Sequence, residues 1–234
     1  MEQPPEFAQI IGGKKLSRRS LMGAGLAFLV AGCVRDPVIS NAVSVFRHLT
    51  SGQSDQPIDR ETVANVPYAL VTAKIGKGPR AVLVLHQRND LDLHWMSADK
   101  ITLITRQGRI VKTAGLPENI ALTIHSLADP LTNSPHELTG PTRFHRTIDV
   151  RKASGYITIP IESELKPIRP ERIKIVGLGF DTILIKETCR ARTANWRFEN
   201  FYWVDAYDGF VWKSRQHVAR DVPPITMEVL KPAG

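Results

Sequence analysis

From Pro67 to the C-terminus, apolar and polar residues alternate in short runs that are separated by turn residues. Because a period of two sends successive side chains to opposite faces of a strand, each run predicts a half-buried β-strand. About ten strands are expected, among them 68–75, 81–85, 91–95, 109–113, 156–161, 172–176, 196–204 and 225–230. The pattern predicts a mainly β protein with a single antiparallel β-rich domain over residues 67–234, built as a sandwich or an open barrel.

Helical patterns are few and lie mostly before the strands. Asp36-Pro37 combines an N-cap residue with a proline at the first helical position, and predicts a short helix over 36–49. Residues 51–57, rich in Ser, Gly, Gln and Asp, indicate a linker. Two more short helices are expected, over 59–65 and 117–127. Two or three short helices are therefore expected beside the β-rich domain, which follows a separate N-terminal segment over 33–66 with a lipidated N-terminus, a short helix and a linker.

The chain begins with a basic region followed by an apolar one. Four basic residues, including the adjacent Arg18 and Arg19, precede an uncharged run over 21–32. A bilayer core requires about 20 apolar residues, whereas an export signal requires about 7–15. The stretch therefore predicts a cleaved signal peptide over 1–32. The paired arginines resemble the twin-arginine motif that exports folded proteins, although the general secretory route also accepts such a basic region.

The sequence Val30-Ala31-Gly32-Cys33 ends the apolar run and resembles the lipobox of bacterial lipoproteins. Small residues precede the cleavage site, and the Cys33 thiol would carry the lipid. One acyl chain binds a membrane only marginally, whereas two anchor a protein stably. In lipoproteins of this kind an Asp after the cysteine retains the protein at the inner membrane. Because Val34 follows here, the resemblance implies the outer membrane.

The charge balance limits the partners of the chain. With 31 Lys and Arg against 23 Asp and Glu, the net charge is +8, and removal of residues 1–32 would leave +6. A positive protein favours anionic neighbours such as phospholipid head groups or acidic glycans. An exported, lipid-anchored protein does not meet nucleic acid, and its basic residues are dispersed, so no nucleic-acid partner is expected. Cys189 is expected to be a small buried residue.

Half of the aromatic residues fall between positions 196 and 212. Trp196 and Phe198 have the period-two spacing that favours the core side of a strand. Aromatic rings also stack on sugar rings, and neighbouring cations bind acidic groups. The candidate surface for a glycan or a partner protein consists of Tyr202, Trp203, Trp212 and Arg215. Of these, Tyr202 and Trp203 are expected to be the most exposed.

The sequence contains no recognisable catalytic or metal-binding motif. The seven histidines lack HExxH or other ligand spacing, and G-x-S-x-G, Walker and dinucleotide motifs are absent. We therefore expect no metal site, no cofactor and no assigned catalytic residue. Asp205 and Asp208 could act as the paired carboxylates of a glycan-modifying enzyme. However, Asp208-Gly209 is first of all a turn motif.

Several stretches of this sequence resemble the YjbF/GfcB family of lipoproteins. Tyr202-Trp203-Val204-Asp205 leads into the specific run Gly209-Phe210-Val211-Trp212-Lys213-Ser214-Arg215-Gln216-His217, and the other stretches are 95–99, 105–116, 129–131 and 228–232. Together they extend over most of the chain that follows Cys33.

The resemblance implies a β-rich lipoprotein at the outer membrane that faces the periplasm and supports production or export of exopolysaccharide or group 4 capsule. Its implied partners are membrane lipid through acylated Cys33, exopolysaccharide biosynthesis or export proteins, and the polysaccharide itself. No catalytic residue follows from the resemblance. Two alternatives stay open: a glycan-modifying enzyme that uses Asp205 and Asp208, and a structural envelope lipoprotein unrelated to polysaccharide.

Overall fold

A computed structural model describes residues 58–125 and 129–234. In this part of the chain, twelve antiparallel strands form one sheet, and one α-helix precedes the first strand. The signal peptide predicted over 1–32 with Arg18 and Arg19, the lipidation residue Cys33, the helix predicted over 36–49 and the linker predicted over 51–57 lie outside the described residues.

The elements follow one another with short connections, apart from the segment between the sixth and seventh strands, which contains two 3-10 turns, Pro130–Thr132 and Pro135–Glu137. The helix is α1 (Arg60–Asn65), and the strands are β1 (Leu70–Ile75), β2 (Arg80–Asn89), β3 (Asp92–Ser97), β4 (Thr102–Arg106), β5 (Arg109–Ala114), β6 (Asn119–His125), β7 (Thr142–Lys152), β8 (Gly155–Ile175), β9 (Leu178–Ala191), β10 (Trp196–Asp205), β11 (Val211–Gln216) and β12 (Ile225–Lys231). No helix among the residues described is long and apolar enough to cross a membrane.

The strand order is β5-β4-β3-β2-β1-β12-β11-β10-β9-β8-β7-β6, so the first and last described strands pair as the fifth and sixth strands of the sheet. The edge strands β5 and β6 meet through side chains. Thr113 Oγ1 accepts a hydrogen bond from the Ile120 amide (3.0 Å), and Thr123 Oγ1 donates one to the Val111 carbonyl (2.7 Å). Within the described ranges no backbone ladder joins these edges. The sheet is therefore a nearly closed, barrel-like structure. Of the two predicted architectures, it agrees with the open barrel and not with the sandwich.

Inward-facing side chains of the sheet form the main core. Strand β10 shows the alternation directly, since its even-numbered residues are buried and its odd-numbered residues are at least partly exposed. The core includes Val71, Leu83, Trp95, Leu103, Ile148, Ile161, Phe198 and Ile225. Trp95 also donates its indole N–H to Thr105 Oγ1 (2.8 Å), so the buried ring has its polar group satisfied.

A second apolar cluster lies on the outer face of the sheet, under α1. Asp59 caps this helix by accepting a hydrogen bond from the Thr62 amide (2.8 Å), as preferred at helix N-termini. Val63 and Val66 then pack against Leu70 and Val82. The helical turn predicted over 59–65 is confirmed.

Two predictions about this part of the chain are wrong. The helix predicted over 117–127 is replaced by β6, and only α1 remains as an α-helix among the described residues. Leu122 and Ile124 on β6 are 44% and 58% exposed, so apolar residues occupy both faces of the strand and the alternation is lost. The separate strands predicted over 156–161 and 172–176 are parts of one strand, β8. A bulge beside Pro167 accommodates this proline in the strand.

Candidate functional site

Two arginines and two acidic residues lie together inside the sheet, where side chains are normally apolar. Arg109 comes from β5, Arg146 from β7 and Glu187 from β9, while Asp129 caps the first 3-10 turn. All four are buried, and Asp129 and Glu187 are completely shielded from solvent. We call these four residues the interior ion cluster.

The charges within the interior ion cluster are paired. Arg109 binds Asp129 through two parallel contacts, Nε to Oδ2 (2.9 Å) and Nη2 to Oδ1 (3.1 Å), and places Nη1 2.9 Å from Glu187 Oε2. Arg146 donates to Glu187 Oε1 and to Ser163 Oγ. Two positive and two negative charges balance, so no uncompensated ion is buried.

Uncharged side chains complete the hydrogen bonding around Glu187. Asn200 Nδ2 (2.9 Å) and the Tyr202 hydroxyl (3.0 Å) donate to Oε2, and the same hydroxyl accepts from Arg109 Nη1 (3.0 Å). Burial alone would raise the pKa of Glu187, but the charges of Arg109 and Arg146 outweigh it and hold this pKa well below its usual range. The Glu187 carboxylate is therefore ionised at neutral pH and fixed in place. This arrangement suits a structural role.

Cys189 lies beside the cluster and is 1% exposed. Its Sγ lies 3.6 Å from Ser163 Oγ and 3.7 Å from Arg146 Nη2. Burial, together with the nearby Glu187 carboxylate, raises the pKa of the thiol to about 12. A protonated, shielded thiol is not a nucleophile at neutral pH, so the prediction that Cys189 is a buried structural residue is confirmed.

A cavity of about 360 Å³ lies inside the sheet and is bordered by the β10–β11 turn. Its lining is mainly apolar and includes Val71, Trp95, Phe210, Trp212 and Met227. Two hydroxyl groups of the lining already have partners: Thr105 Oγ1 accepts from Trp95, and Ser214 Oγ accepts from Gln216 (2.9 Å). These contacts give no indication of a specific ligand.

The outward face of β10 and β11 combines aromatic rings with cations. Phe201 is directly opposite Arg215, whose guanidinium carbon lies 5.9 Å from the ring centroid, and Trp203 is opposite Lys213, whose Nζ lies 5.2 Å from its ring. Such distances allow cation–π attraction. Trp203 also donates its indole N–H to Glu171 Oε1 on β8 (2.9 Å). The face is therefore a partly exposed aromatic surface with positive charge.

The structure separates the four residues of the predicted glycan or partner surface. Trp203 and Arg215 share the outward face. Tyr202 does not, because it occupies an inward position of β10, is fully buried and bonds to the interior ion cluster. Trp212 is the extra residue of a β-bulge opposite Trp203 and Val204. Its half-buried ring contacts Phe180 at 3.9 Å and Phe210 at 4.7 Å between centroids.

The carboxylates of Asp205 and Asp208 hold the β10–β11 turn together. Asp205 Oδ1 accepts from the Tyr207 amide (2.9 Å) and Oδ2 from the Trp212 indole (2.9 Å). Asp208 Oδ1 accepts from the Phe210 amide (2.8 Å). These bonds are typical of Asp in turns. Elsewhere in the described part of the chain, no group of three or more His, Cys, Asp or Glu residues could hold a metal ion.

The interior ion cluster was not predicted from the sequence, although the sequence contains an indication of it. Glu187 lies between Ile185 and Cys189 in the period-two pattern, and Arg146 lies between Phe144 and Ile148. In a strand, residues two positions apart lie on the same face. A charged residue two positions from buried apolar residues on both sides therefore indicates a charge that faces the core. Two of the stretches that carry the family resemblance, 105–116 and 129–131, supply the other two cluster residues.

Comparison with known proteins identifies relatives along nearly the whole chain. A family model described as "Group 4 capsule polysaccharide lipoprotein gfcB, YjbF" matches residues 40–230. The uncharacterized lipoprotein GfcB of Escherichia coli (strain K12) is 26% identical over 215 residues, which is 92% of this chain and 99% of that protein. The uncharacterized lipoprotein YjbF of the same strain is 25% identical over 186 residues, 74% of this chain and 80% of the relative.

A solved structure has the same architecture. The crystal structure of the hypothetical lipoprotein YmcC from Escherichia coli (K12) superimposes with a TM-score of 0.73 at 25% sequence identity. The match includes 84% of this chain and 96% of the other. The family resemblance inferred from the sequence is thereby confirmed.

Proposed function

The chain belongs to the YjbF family of group 4 capsule polysaccharide lipoproteins, and we propose that it supports the production or export of a capsule-type polysaccharide at the outer membrane. The single observation that carries this proposal is the family match over residues 40–230, which extends from before β1 into β12. Because this match includes both the interior ion cluster and the outward aromatic face, the proposed role belongs to the whole β-rich body.

In this proposal the protein is held to the outer membrane by lipid on Cys33 and faces the periplasm. The lipobox-like sequence before Cys33 and the Val that follows it support this location. Two acyl chains would anchor the protein stably. The partners are then envelope proteins of polysaccharide assembly or export, or the polymer itself.

The role we propose is binding rather than catalysis. Asp205 and Asp208 each accept hydrogen bonds from the turn that contains them. Their carboxylates therefore stabilise this turn. The Glu187 carboxylate is likewise fully engaged, and the Cys189 thiol is protonated and shielded. The outward face with Trp203 and Arg215 is available to a partner or a glycan.

A deletion strain tests this proposal. We expect it to make or export less polysaccharide, and expression of the wild-type chain should restore the yield. The double variant Asp205→Asn, Asp208→Asn should restore it equally well if the variant folds. Normal polymer in the deletion strain would contradict the proposal and favour a structural envelope lipoprotein. Loss of polymer modification with a folded double variant would favour the enzyme instead.

A further inference from the structure

Four side chains on the outer face of β8–β11 lie in one cross-strand row. Lys166 pairs with Lys186, Lys186 with Phe201, and Phe201 with Arg215. Adjacent strands are about 4.8 Å apart, so the row has cations on both sides of an aromatic ring within roughly 15 Å. We call these four residues the cation–aromatic row.

The protein neutralises only part of the positive charge of this row. Glu199 pairs with Lys186 of the row (3.1 Å), whereas Glu228 pairs with Lys213 (2.8 Å) and Glu171 with Arg169 (2.6 Å), which lie outside it. In the described part of the chain, no carboxylate lies within ion-pair distance of Lys166 or Arg215. Both cations are exposed and are available to an anion.

Two lysines of the row also face each other, and of these only Lys186 has a carboxylate partner, Glu199. Lys166 and Lys186 are directly opposite each other on neighbouring strands, and like charges in this position destabilise a sheet. An anionic ligand that contacts both ammonium groups would remove the repulsion. The register therefore favours a ligand with negative charge over an uncharged one.

The aromatic residue of the row, Phe201, favours a ligand that has an apolar surface as well as negative charge. Phe201 is half-buried between Lys186 and Arg215, and Trp203 lies two residues further along the same face. Aromatic rings pack against flat apolar surfaces, and guanidinium groups bind carboxylates through paired hydrogen bonds. Sugar rings that carry carboxylate groups present both features in one repeating chain.

We propose that the cation–aromatic row binds an acidic polysaccharide that crosses strands β8 to β11. Its carboxylates contact Lys166, Lys186 and Arg215, and a sugar ring packs on Phe201. The identity of the polymer as a glycan rests on the proposed function, whereas its acidic character rests on the charges of the row. An acidic protein would also pair with the cations of the row, but its affinity would not depend on packing against the Phe201 ring.

The test is a titration of the full chain in detergent with three polymers. Polygalacturonate is the acidic glycan, dextran the neutral glycan, and polyaspartate a polyanion without sugar rings. We expect polygalacturonate to bind at least about tenfold more tightly than either of the others, with an affinity that decreases as salt is added. No binding of polygalacturonate, or equal binding of polyaspartate, would overturn the proposal.

Variants of the row test whether polygalacturonate binds at these residues. The double change Lys166→Glu, Arg215→Glu should weaken polygalacturonate binding at least about tenfold. Phe201→Leu, which keeps an apolar side chain, should weaken it about threefold or more without changing polyaspartate binding. The matched control is Lys112→Glu, an exposed cation on β5, which should leave affinity unchanged. An equal loss with Lys112→Glu would overturn the assignment, as would full affinity in both row variants.

The same variants separate this inference from the proposed function. If the deletion strain makes normal polymer, the proposed function fails, while the titration still decides whether the row binds an acidic glycan. If the deletion strain is defective and the titration is negative, the proposed function stands and the inference fails. Circular dichroism of each variant confirms that its sheet is intact before either result is used.

Discussion

Arg109 on β5 and Glu187 on β9 form an ion pair across the interior of the sheet, with Arg109 Nη1 2.9 Å from Glu187 Oε2. The two residues are 78 positions apart in the chain and lie on strands that are not neighbours in the sheet. Backbone ladders join adjacent strands only. This pair therefore connects two strands that no backbone ladder joins directly.

Replacing Glu187 by Gln should strongly destabilise the protein. The variant would leave the buried guanidinium groups of Arg109 and Arg146 with one carboxylate, that of Asp129. Breaking a buried ion pair in this way costs about 3–5 kcal/mol of unfolding free energy, which urea denaturation would measure. The control is Glu199→Gln, which removes an exposed pair with Lys186 and should cost at most about 1 kcal/mol. Equal effects of the two changes would contradict a structural role for the cluster.

Stability should also decrease in acid because of the same carboxylate. The charges of Arg109 and Arg146 overcome the effect of burial and hold the pKa of Glu187 well below its usual value of about 4.5. A carboxyl group whose pKa is lower in the folded state stabilises that state above the unfolded-state pKa, and this contribution is lost as pH falls toward the folded-state pKa. We expect unfolding free energy to fall as pH decreases below about 4.5. Urea titrations at several pH values should show a smaller decrease in Glu187→Gln, and an unchanged decrease would contradict the assignment.

Gly108→Ala should destabilise the turn between β4 and β5. Gly108 has a φ of +83°, and a Cβ at this position would collide with the side chain of Val211. We expect a loss of about 1–3 kcal/mol in unfolding free energy, with partial recovery when Val211→Ala is added. Gly140→Ala is the control, because nothing lies within 4 Å of its added Cβ. A Gly108→Ala protein as stable as the wild type would show that this close approach is absent.

Cys189 should resist thiol reagents in the folded protein. Burial raises the pKa of its thiol to about 12, so thiolate is scarce even at mildly alkaline pH. In a Cys33→Ala background, Ellman's reagent should react only after urea unfolds the chain. Thr188→Cys combined with Cys189→Ser moves the thiol to an exposed neighbouring position and should react at once. Rapid labelling of native Cys189 would be inconsistent with the buried position.

Cys33→Ala should release the protein from membranes. If Cys33 carries the acyl chains, the variant loses palmitate labelling and is recovered in the soluble fraction, because the anchor provides the stable attachment. Cys189→Ser is the matched control and should keep both the label and the membrane location. Continued labelling of Cys33→Ala would show that another residue is acylated.

The strand pattern could be predicted wherever one face of a strand is apolar and the other polar. Strand β10 is of this kind, and its alternation from Trp196 to Val204 matches its burial. Strand β6 is not, because Leu122 and Ile124 face solvent. Strand β8 was predicted as two strands, and the segment between them contains Pro167 and Pro170. A proline inside a strand normally indicates an edge or a bulge, and the bulge beside Pro167 depends on the partner strand.

The outward site could be predicted only in part. Trp203 and Arg215 lie on the outward face, where aromatic and cationic residues cluster. Tyr202 was wrongly predicted to be exposed. Its hydroxyl can be buried because Glu187 and Arg109 form hydrogen bonds with it, and these partners are distant in sequence. The interior ion cluster depends on which strands face one another across the sheet. Local periodicity does not contain that information.

The edges of the sheet are joined at Thr113 and Thr123 by hydroxyl groups instead of a continuous backbone ladder. No backbone ladder reinforces this line in the described part of the chain, and local opening is easiest where such bonds are few. Transient widening of the wall would therefore begin as a slit between β5 and β6, beside the strand that carries Arg109, and would bring water toward the buried charges.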